Sequence, residues 1–267
     1  MSRELSIILP TLNEGKNLEK LIPEINEMFN NENINKNEIL VMDDGSTDGT
    51  SSLVGNADLV QLEGLGVGAA IDAGHQHLLS VLEDDFISVV MAGDGQMDPE
   101  DMEGVIQPII SGKAHHVKGE RSDRAGKMPN IRRFGTMLLS ILTTLACGQT
   151  IRDPQCGYTA TSSKVLKKWN WDRSWKGYGY PNWWLMRFSE MGFKVAHVPV
   201  KAIYSGQKSG IRLYSFFPKV SMMLLLGLHT RIIRNTLNKP TIAICIVWAT
   251  YVLGWIYNPL MFVCTHL

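Results

Sequence analysis

The sequence predicts an α/β fold in which a mostly parallel sheet carries helices on both faces. Short β-rich apolar runs recur along the first hundred residues, and helical patterns alternate with them. Strands that alternate with helices are typical of a parallel sheet, because each crossover helix returns the chain to the same edge. Turns of small or polar residues punctuate the pattern, as expected where strands end.

The first half of the chain predicts four strands. Pro10 closes the first, and apolar residues with helical spacing then run from Asn17 to about Asn30. The third strand precedes a glycine-rich turn, 64–68, which opens a helix through Leu78. The four strands are predicted over 5–9, 38–42, 59–62 and 87–91.

The second half of the chain predicts two further strands and two further helices. β-type patterns indicate strands over 115–119 and 193–200. Helical patterns indicate helices over 134–145 and 163–169. Between these helices, residues 153–158 form a loop rich in turn residues.

Charge is distributed unevenly, although the chain as a whole carries 26 basic and 26 acidic residues. From Lys201 to the end there is no Asp or Glu, while seven Lys or Arg remain. A basic, apolar end of this kind favours an anionic membrane surface over nucleic acid as the partner. The four cysteines show no metal-ligand spacing and indicate reduced thiols in an intracellular protein.

The last part of the chain predicts attachment to a membrane. The mixed apolar and basic segment 213–238 fits a helix in the membrane interface, although a core helix would show the same pattern. The run 241–264 has no charged side chain, and it is long enough to span a bilayer. Basic residues before it place the body of the protein in the cytoplasm. We therefore expect a domain over 1–212, an amphipathic interfacial helix over 213–238 and a single transmembrane anchor over 239–267.

Polar or glycine-rich stretches follow all four predicted strands of the first half, and the carboxyl ends of parallel strands meet at one sheet edge. Oxygen ligands suit a hard divalent cation, so Asp94 and the carbonyl of Gln96 are candidate metal ligands. No GxxxxGK[ST] loop is present, which argues against an ATPase and suits a nucleotide held through a metal. An ordinary turn with Asp98 as N-cap explains the stretch after the fourth strand equally well. The four stretches are Asn13-Glu14, Asp43-Asp44, 64–68 and 94–96.

Three ordered stretches resemble the family 2 glycosyltransferases of the GT-A fold. They are PTLNE at 10–14, DDGSTDGT at 43–50 and DGQMDPE at 94–100. The second half is similar to the polyprenyl-phosphate sugar transferases, with the dolichol-phosphate mannosyltransferase type nearest and a glucosyl counterpart close behind. The stretches that carry this similarity are 119–121, 132–133, 153–158, 198–200 and 204–211. The resemblance covers roughly residues 5–212.

The resemblance implies a glycosyltransferase that uses a nucleotide sugar, a divalent metal and a lipid phosphate. Asp94 and Gln96 would hold Mg²⁺ or Mn²⁺ against the diphosphate, and Asp94, Arg121 and Asp153 would form the catalytic set. Asp153 is also a candidate general base for a hydroxyl acceptor. The residues implied to bind the nucleotide sugar are Pro10, Asn13, Glu14, Asp43, Asp44 and Gly66. Those implied to bind the acceptor phosphate are Arg121, Arg132, Arg133, Lys208 and Ser209.

One position departs from the family pattern, because Ala92 stands where the first aspartate of Asp-x-Asp is usual. The expected reaction is inverting transfer of a hexose, with mannose favoured, from GDP-mannose or a UDP-hexose to a polyprenyl phosphate. A glucosyltransferase that uses UDP-glucose and a family 2 enzyme with a hydroxyl acceptor are alternatives. An inactive membrane-anchored subunit is the non-enzymatic alternative, and Ala92 is the residue that favours it.

Overall fold

A computed structural model describes residues 4–31, 36–121, 130–201, 203, 213–238, 242 and 245–254. Within these ranges one seven-stranded sheet has the order β3-β2-β1-β4-β6-β5-β7. All neighbouring strands are parallel except β6, which is antiparallel to both β4 and β5. The strands are β1 Glu4–Thr11, β2 Lys36–Asp43, β3 Asp58–Gln61, β4 Phe86–Val90, β5 His116–Arg121, β6 Thr159–Ser162 and β7 Val195–Val200. The six strands expected from the sequence are thus present, and β6 is an addition.

Helices flank the sheet on both faces, as the sequence predicts. They are α1 Gly15–Asn31, α2 Val67–Val81, α3 Met102–Ile110, α4 Asn130–Cys147, α5 Ser163–Leu166, α6 Tyr180–Glu190 and α7 Leu213–Asn238. Successive side chains of a strand point to opposite faces, and β1 shows this directly. Leu5 and Ile7 pack in the core formed with α1 and α3. Ile8 packs in the second core, formed with α2 and α6.

A third apolar cluster fixes α7 against the body of the protein. Val220, Met223 and Leu224 are buried there with residues of α4 and α6. The opposite side of α7 is exposed, and Leu237 reaches 77% exposure. By length and composition alone, Phe216–Asn238 is apolar enough to cross a membrane. Of the anchor predicted over 239–267, the described residues include a short apolar helix, Cys245–Gly254. The interfacial helix and the anchor therefore stay predictions.

Strand direction gathers the predicted site at one edge of the sheet. In the aligned registers, Thr11 at the end of β1 lies beside Asp43 at the end of β2. Arg121 and Val200 likewise lie side by side at the ends of β5 and β7. Because β6 runs the other way, the loop that precedes it reaches the same edge. That loop carries Asp153, so the predicted site residues of both halves of the chain lie at one edge of the sheet.

Candidate active site

The turns after β1 and β2 form one hydrogen-bonded unit. Asn13 adopts a left-handed backbone with φ of 58°, and its main-chain N–H donates to Ser46 Oγ at 2.8 Å. Its side-chain oxygen accepts the Thr47 N–H at 2.8 Å. The next residue, Glu14, donates its main-chain N–H to Thr50 Oγ1 at 3.2 Å. The first two stretches of the family pattern therefore build a single surface.

Asp43, the last residue of β2, and Asp44 are buried, and both accept hydrogen bonds from the main chain. Asp43 Oδ1 accepts the Ser46 N–H at 2.9 Å. The carboxylate oxygens of Asp44 accept the N–H groups of Leu65 and Gly66, both at 2.7 Å. Asp44 thus holds the glycine turn in place, a role that the sequence pattern does not reveal.

The glycine turn needs its glycines because another loop lies against it. Gly66 has φ of 97°, and a Cβ there would come within 2.9 Å of the main-chain oxygen of Lys176. A Cβ on Gly68 would overlap the main-chain oxygen of Trp175. The Ala69 N–H donates a hydrogen bond to the main-chain oxygen of Lys176 in the same loop, at 3.2 Å. The start of α2 is therefore packed directly beneath residues 175–177.

Asp94 lies where β1 and β4 end together. The Gly93 N–H donates to Pro10 O at 3.2 Å, which ties the two strand ends. Asp94 Oδ1 accepts the Gln96 N–H at 3.0 Å, and burial raises the pKa of Asp94. Burial also raises the pKa of Glu14, and the charge of Asp94 adds to that rise. The two carboxylates therefore share one electrostatic environment, although they lie 80 residues apart in the chain.

The donor set at this turn fits a divalent ion that arrives with a nucleotide diphosphate. Among the described residues there is no group of three or more His, Cys, Asp or Glu that could hold a metal. The predicted ligands are the carboxylate of Asp94, which is partly desolvated, and the carbonyl of Gln96. The main-chain oxygen of Gln96 accepts the Ile203 N–H at 3.0 Å. Mg²⁺ is commonly held by one or two carboxylates together with phosphate oxygens and water, so one carboxylate is sufficient.

Arg121, at the end of β5, and Asp153 form an ion pair with two hydrogen bonds. Arg121 Nε donates to Asp153 Oδ2 at 2.8 Å, and Nη2 donates to Oδ1 at 3.0 Å. The Asp153 side chain is 0% exposed, whereas that of Arg121 is 27% exposed. A buried carboxylate thus fixes the plane of a guanidinium whose outer edge reaches solvent. Both residues were expected from the sequence, but their pairing was not.

A cavity of about 40 Å³ is lined by both Gln96 and Arg121. Lys201, the first residue after β7, lines it, and its N–H donates to Asp101 Oδ2 at 2.6 Å. Its ammonium contacts Asp98 at 3.0 Å and Glu100 at 2.9 Å, which raises the pKa of Lys201. Only its place after a strand at this edge could have indicated Lys201. The residues around the cavity are Gln96, Met97, Arg121, Cys156, Gly157, Val200 and Lys201.

The remaining predicted acceptor residues are only partly described. Arg132 and Arg133 lie in the first turn of α4, and only their backbone is described. Lys208 and Ser209 lie outside the described residues. The contribution of these four residues to phosphate binding stays a prediction.

The chain matches known proteins along most of its length. Residues 6–170 match the model of glycosyl transferase family 2. The UDP-N-acetylglucosamine–dolichyl-phosphate N-acetylglucosaminyltransferase of Methanococcus voltae is 28% identical, covering 74% of this chain and 85% of that protein. The polyprenol monophosphomannose synthase of Mycolicibacterium smegmatis is 29% identical, covering 73% and 75%.

A solved structure supports the fold. Glucosyl-3-phosphoglycerate synthase from Mycobacterium tuberculosis, crystallised with Mn²⁺, UDP and phosphoglyceric acid, superimposes with a TM-score of 0.60 at 22% identity. The alignment covers 86% of this chain and 78% of that one, and it confirms the expected GT-A fold. Together with the family match over residues 6–170, these findings show that the chain belongs to the family 2 glycosyltransferases.

Proposed function

We propose that this enzyme transfers a hexose from a nucleotide sugar to a polyprenyl phosphate of the dolichyl type, with inversion, at the cytoplasmic face of a membrane. The observation that carries the proposal is the Arg121–Asp153 pair. It presents a fixed guanidinium edge to the same cavity that Gln96 lines. Guanidinium groups bind phosphate oxygens through paired N–H donors, so this edge suits a phosphate acceptor.

On the donor side, the unit made by the β1 and β2 turns would hold the nucleoside. Glu14 and Asp43 carry carboxylate oxygens that suit ribose hydroxyls and base N–H groups. Asp44 would act indirectly, since its two oxygens hold the Leu65 and Gly66 amides of the glycine turn. Pro10 and Asn13 would complete the wall by fixing the path of the chain after β1.

Asp94 and Gln96 would hold Mg²⁺ or Mn²⁺ together with the diphosphate. When bound, such an ion offsets the charge that develops on the leaving nucleoside diphosphate. Burial raises the pKa of Asp94. A neighbouring cation would oppose this rise, because it favours the ionised carboxylate. Ala92 adds no second carboxylate, and we therefore expect metal and nucleotide to bind together rather than separately.

Arg121 would bind and orient the acceptor. Two of its five N–H donors contact Asp153, which leaves its outer edge for phosphate oxygens. A phosphate monoester has its second pKa at about 6, so it is largely ionised at neutral pH and needs no strong base. One phosphate oxygen attacks the anomeric carbon while the bond from that carbon to the nucleoside diphosphate breaks. Attack from the opposite face inverts the configuration in a single step.

The environment of Asp153 favours a phosphate acceptor over a hydroxyl acceptor. A general base must reach the proton that it removes. Asp153 is fully buried, and both its oxygens accept hydrogen bonds from Arg121. Its geometry therefore suits a residue that orients Arg121.

The identity of the sugar rests on the family resemblance. The two relatives transfer different sugars according to their names, and we propose mannose because of the resemblance.

The test is a transfer assay with the full chain in membranes, labelled nucleotide sugars and two matched lipids. Dolichyl phosphate and dolichol differ only in the phosphate group, so together they separate the acceptor classes. We expect label to enter the lipid phase only with dolichyl phosphate and only with Mg²⁺ or Mn²⁺. A panel of GDP-mannose, UDP-glucose and UDP-N-acetylglucosamine identifies the donor. Transfer to dolichol in place of its phosphate would overturn the proposal, as would nucleotide-sugar binding without any lipid product.

A further inference from the structure

One side of α4 carries three hydroxyl groups, and two of them, those of Ser140 and Thr144, contact the segment before β6. Thr143 and Thr144 lie three and four residues after Ser140, so both are neighbours of Ser140 on the helix surface. Ser140 Oγ donates to the main-chain oxygen of Ile151 and lies 2.9 Å from that of Arg152. Thr144 Oγ1 accepts the Ile151 N–H at 2.9 Å. This hydroxyl face therefore holds the main chain immediately before Asp153.

A buried chain of hydrogen bonds holds the other side of Asp153. Gln155 Nε2 donates to Asn182 Oδ1 on α6. Asn182 Nδ2 donates to Thr143 Oγ1 at 2.8 Å, and Thr143 in turn donates to Leu139 O at 2.7 Å. Asn182 is 0% exposed and Thr143 is also 0% exposed. The donors in this series of hydrogen bonds thus all point the same way, from Gln155 through Asn182 to Thr143 on α4.

In this series of hydrogen bonds, the role of each side chain as donor or acceptor is fixed by its neighbour. The hydroxyl proton of Thr143 is committed to Leu139 O, so Thr143 can only accept from Asn182. The Asn182 amide is then oriented with its oxygen toward Gln155. Removal of one member leaves a buried donor or acceptor without a partner, which costs more than the bond itself contributes. Residues 151–155 are therefore held on both sides of Asp153 by α4, directly or through α6.

We propose that Thr143 and Asn182 are positioning residues for the acceptor phosphate. They hold residues 151–155, which place Asp153, and Asp153 fixes the guanidinium plane of Arg121. The same helix carries Arg132 and Arg133 in its first turn, so α4 sets the placement of both predicted groups of phosphate-binding residues. This inference rests on the proposed function, and neither Thr143 nor Asn182 touches substrate in it.

The test compares Thr143→Val, which removes the hydroxyl but keeps the branched shape, with Thr143→Ser, which keeps the hydroxyl. We expect Thr143→Val to raise the KM for dolichyl phosphate about tenfold, the size of one lost hydrogen bond. The KM for the nucleotide sugar should stay unchanged. Thr143→Ser should restore the acceptor KM. Thr230→Val is the matched control, because Thr230 Oγ1 donates to Leu226 O on the exposed side of α7, away from these hydrogen bonds.

Gln155→Met is the second variant, and it decides the matter if Thr143→Val does not fold. Gln155 is only partly buried, and its loss removes the donor to Asn182 while keeping a side chain of similar length. It should raise the acceptor KM in the same way. Wild-type transfer with an unchanged acceptor KM in the folded variants would overturn this inference alone. A wild-type enzyme that gives no lipid-phosphate product would overturn the proposed function and this inference with it.

Discussion

Asp72 offers a quantitative test of the packing beneath the glycine turn. It lies on α2 and is 2% exposed. Neither carboxylate oxygen has a hydrogen-bond partner of good geometry in the described part of the chain. Burial raises the pKa of Asp72 from its ordinary value of 3.8 to about 6, although Ser174 and Lys176 nearby oppose the rise. The folded protein therefore binds a proton at Asp72 more tightly than the unfolded chain does.

The sign and size of the effect follow from this difference. Well below pH 3.8 the carboxyl group of Asp72 is protonated in both the folded and the unfolded protein, so it does not lower the free energy of unfolding. As pH rises, the unfolded chain loses its proton first, so stability falls until the folded group also ionises near pH 6. The full difference is about 3 kcal/mol, at 1.36 kcal/mol for each pKa unit. In Asp72→Asn this loss is absent, while any cost of burying the amide is the same at every pH.

The assay is denaturant unfolding of wild type and Asp72→Asn at pH 4 and at pH 7.5, in the same detergent. The free energy of unfolding of the variant, relative to wild type, should rise by about 2–3 kcal/mol between the two pH values. The comparison between pH values removes the constant cost of the amide. A difference that stays the same at both pH values would refute the burial of an ionisable, poorly paired Asp72.

Three further predictions follow from the geometry. Gly68→Ala should lower the free energy of unfolding by about 1–3 kcal/mol and raise the donor KM, because its Cβ would overlap the Trp175 main-chain oxygen. Gly104→Ala is the control, since its Cβ would sit 3.5 Å from Val198 Cγ1 and should be tolerated. Asp94→Asn should raise the Mg²⁺ or Mn²⁺ concentration for half-maximal transfer about tenfold or more, through loss of one charge beside the ion. The free energy of unfolding of Lys118→Met, relative to wild type, should fall by about 3 kcal/mol between pH 7 and pH 10.5, because burial lowers the pKa of Lys118 from 10.5 to about 8. Denaturant unfolding should show this fall between about pH 8 and pH 10.5, where the folded protein has released the Lys118 proton and the unfolded chain still holds it.

Most of the sheet could be predicted because its strands are apolar runs closed by turn residues. The strand β6 could not, since its four residues are Thr-Ala-Thr-Ser and carry little apolar signal. The sheet buries them nevertheless, between β4 and β5. Helix α6 was also missed, because its aromatic residues lack the simple stripe of an amphipathic helix. In both elements tertiary packing decides the conformation.

The candidate site shows the same division. The parallel strands bring Glu14, Asp43 and Asp94 to one edge, as the sequence predicts, while Arg121 was expected only from the family resemblance. Side-chain contacts between residues far apart in the chain could not be predicted from the sequence. The pairing of Asp153 with Arg121 joins residues 32 apart in the chain, and the bond from Asn182 to Thr143 joins residues 39 apart. These contacts depend on the placement of β6 and α6, and the sequence pattern predicted neither element.

The measurement that tests the central claim most directly is the kinetics of Asp153→Asn with dolichyl phosphate as acceptor. If Asp153 orients Arg121, the variant should raise the acceptor KM about tenfold, while kcat at saturation, its pH profile and the donor KM stay close to those of wild type. If Asp153 is instead a general base, kcat should collapse and the acidic limb of its pH profile should disappear. A collapse of kcat with an unchanged acceptor KM would contradict the orienting role assigned to Asp153.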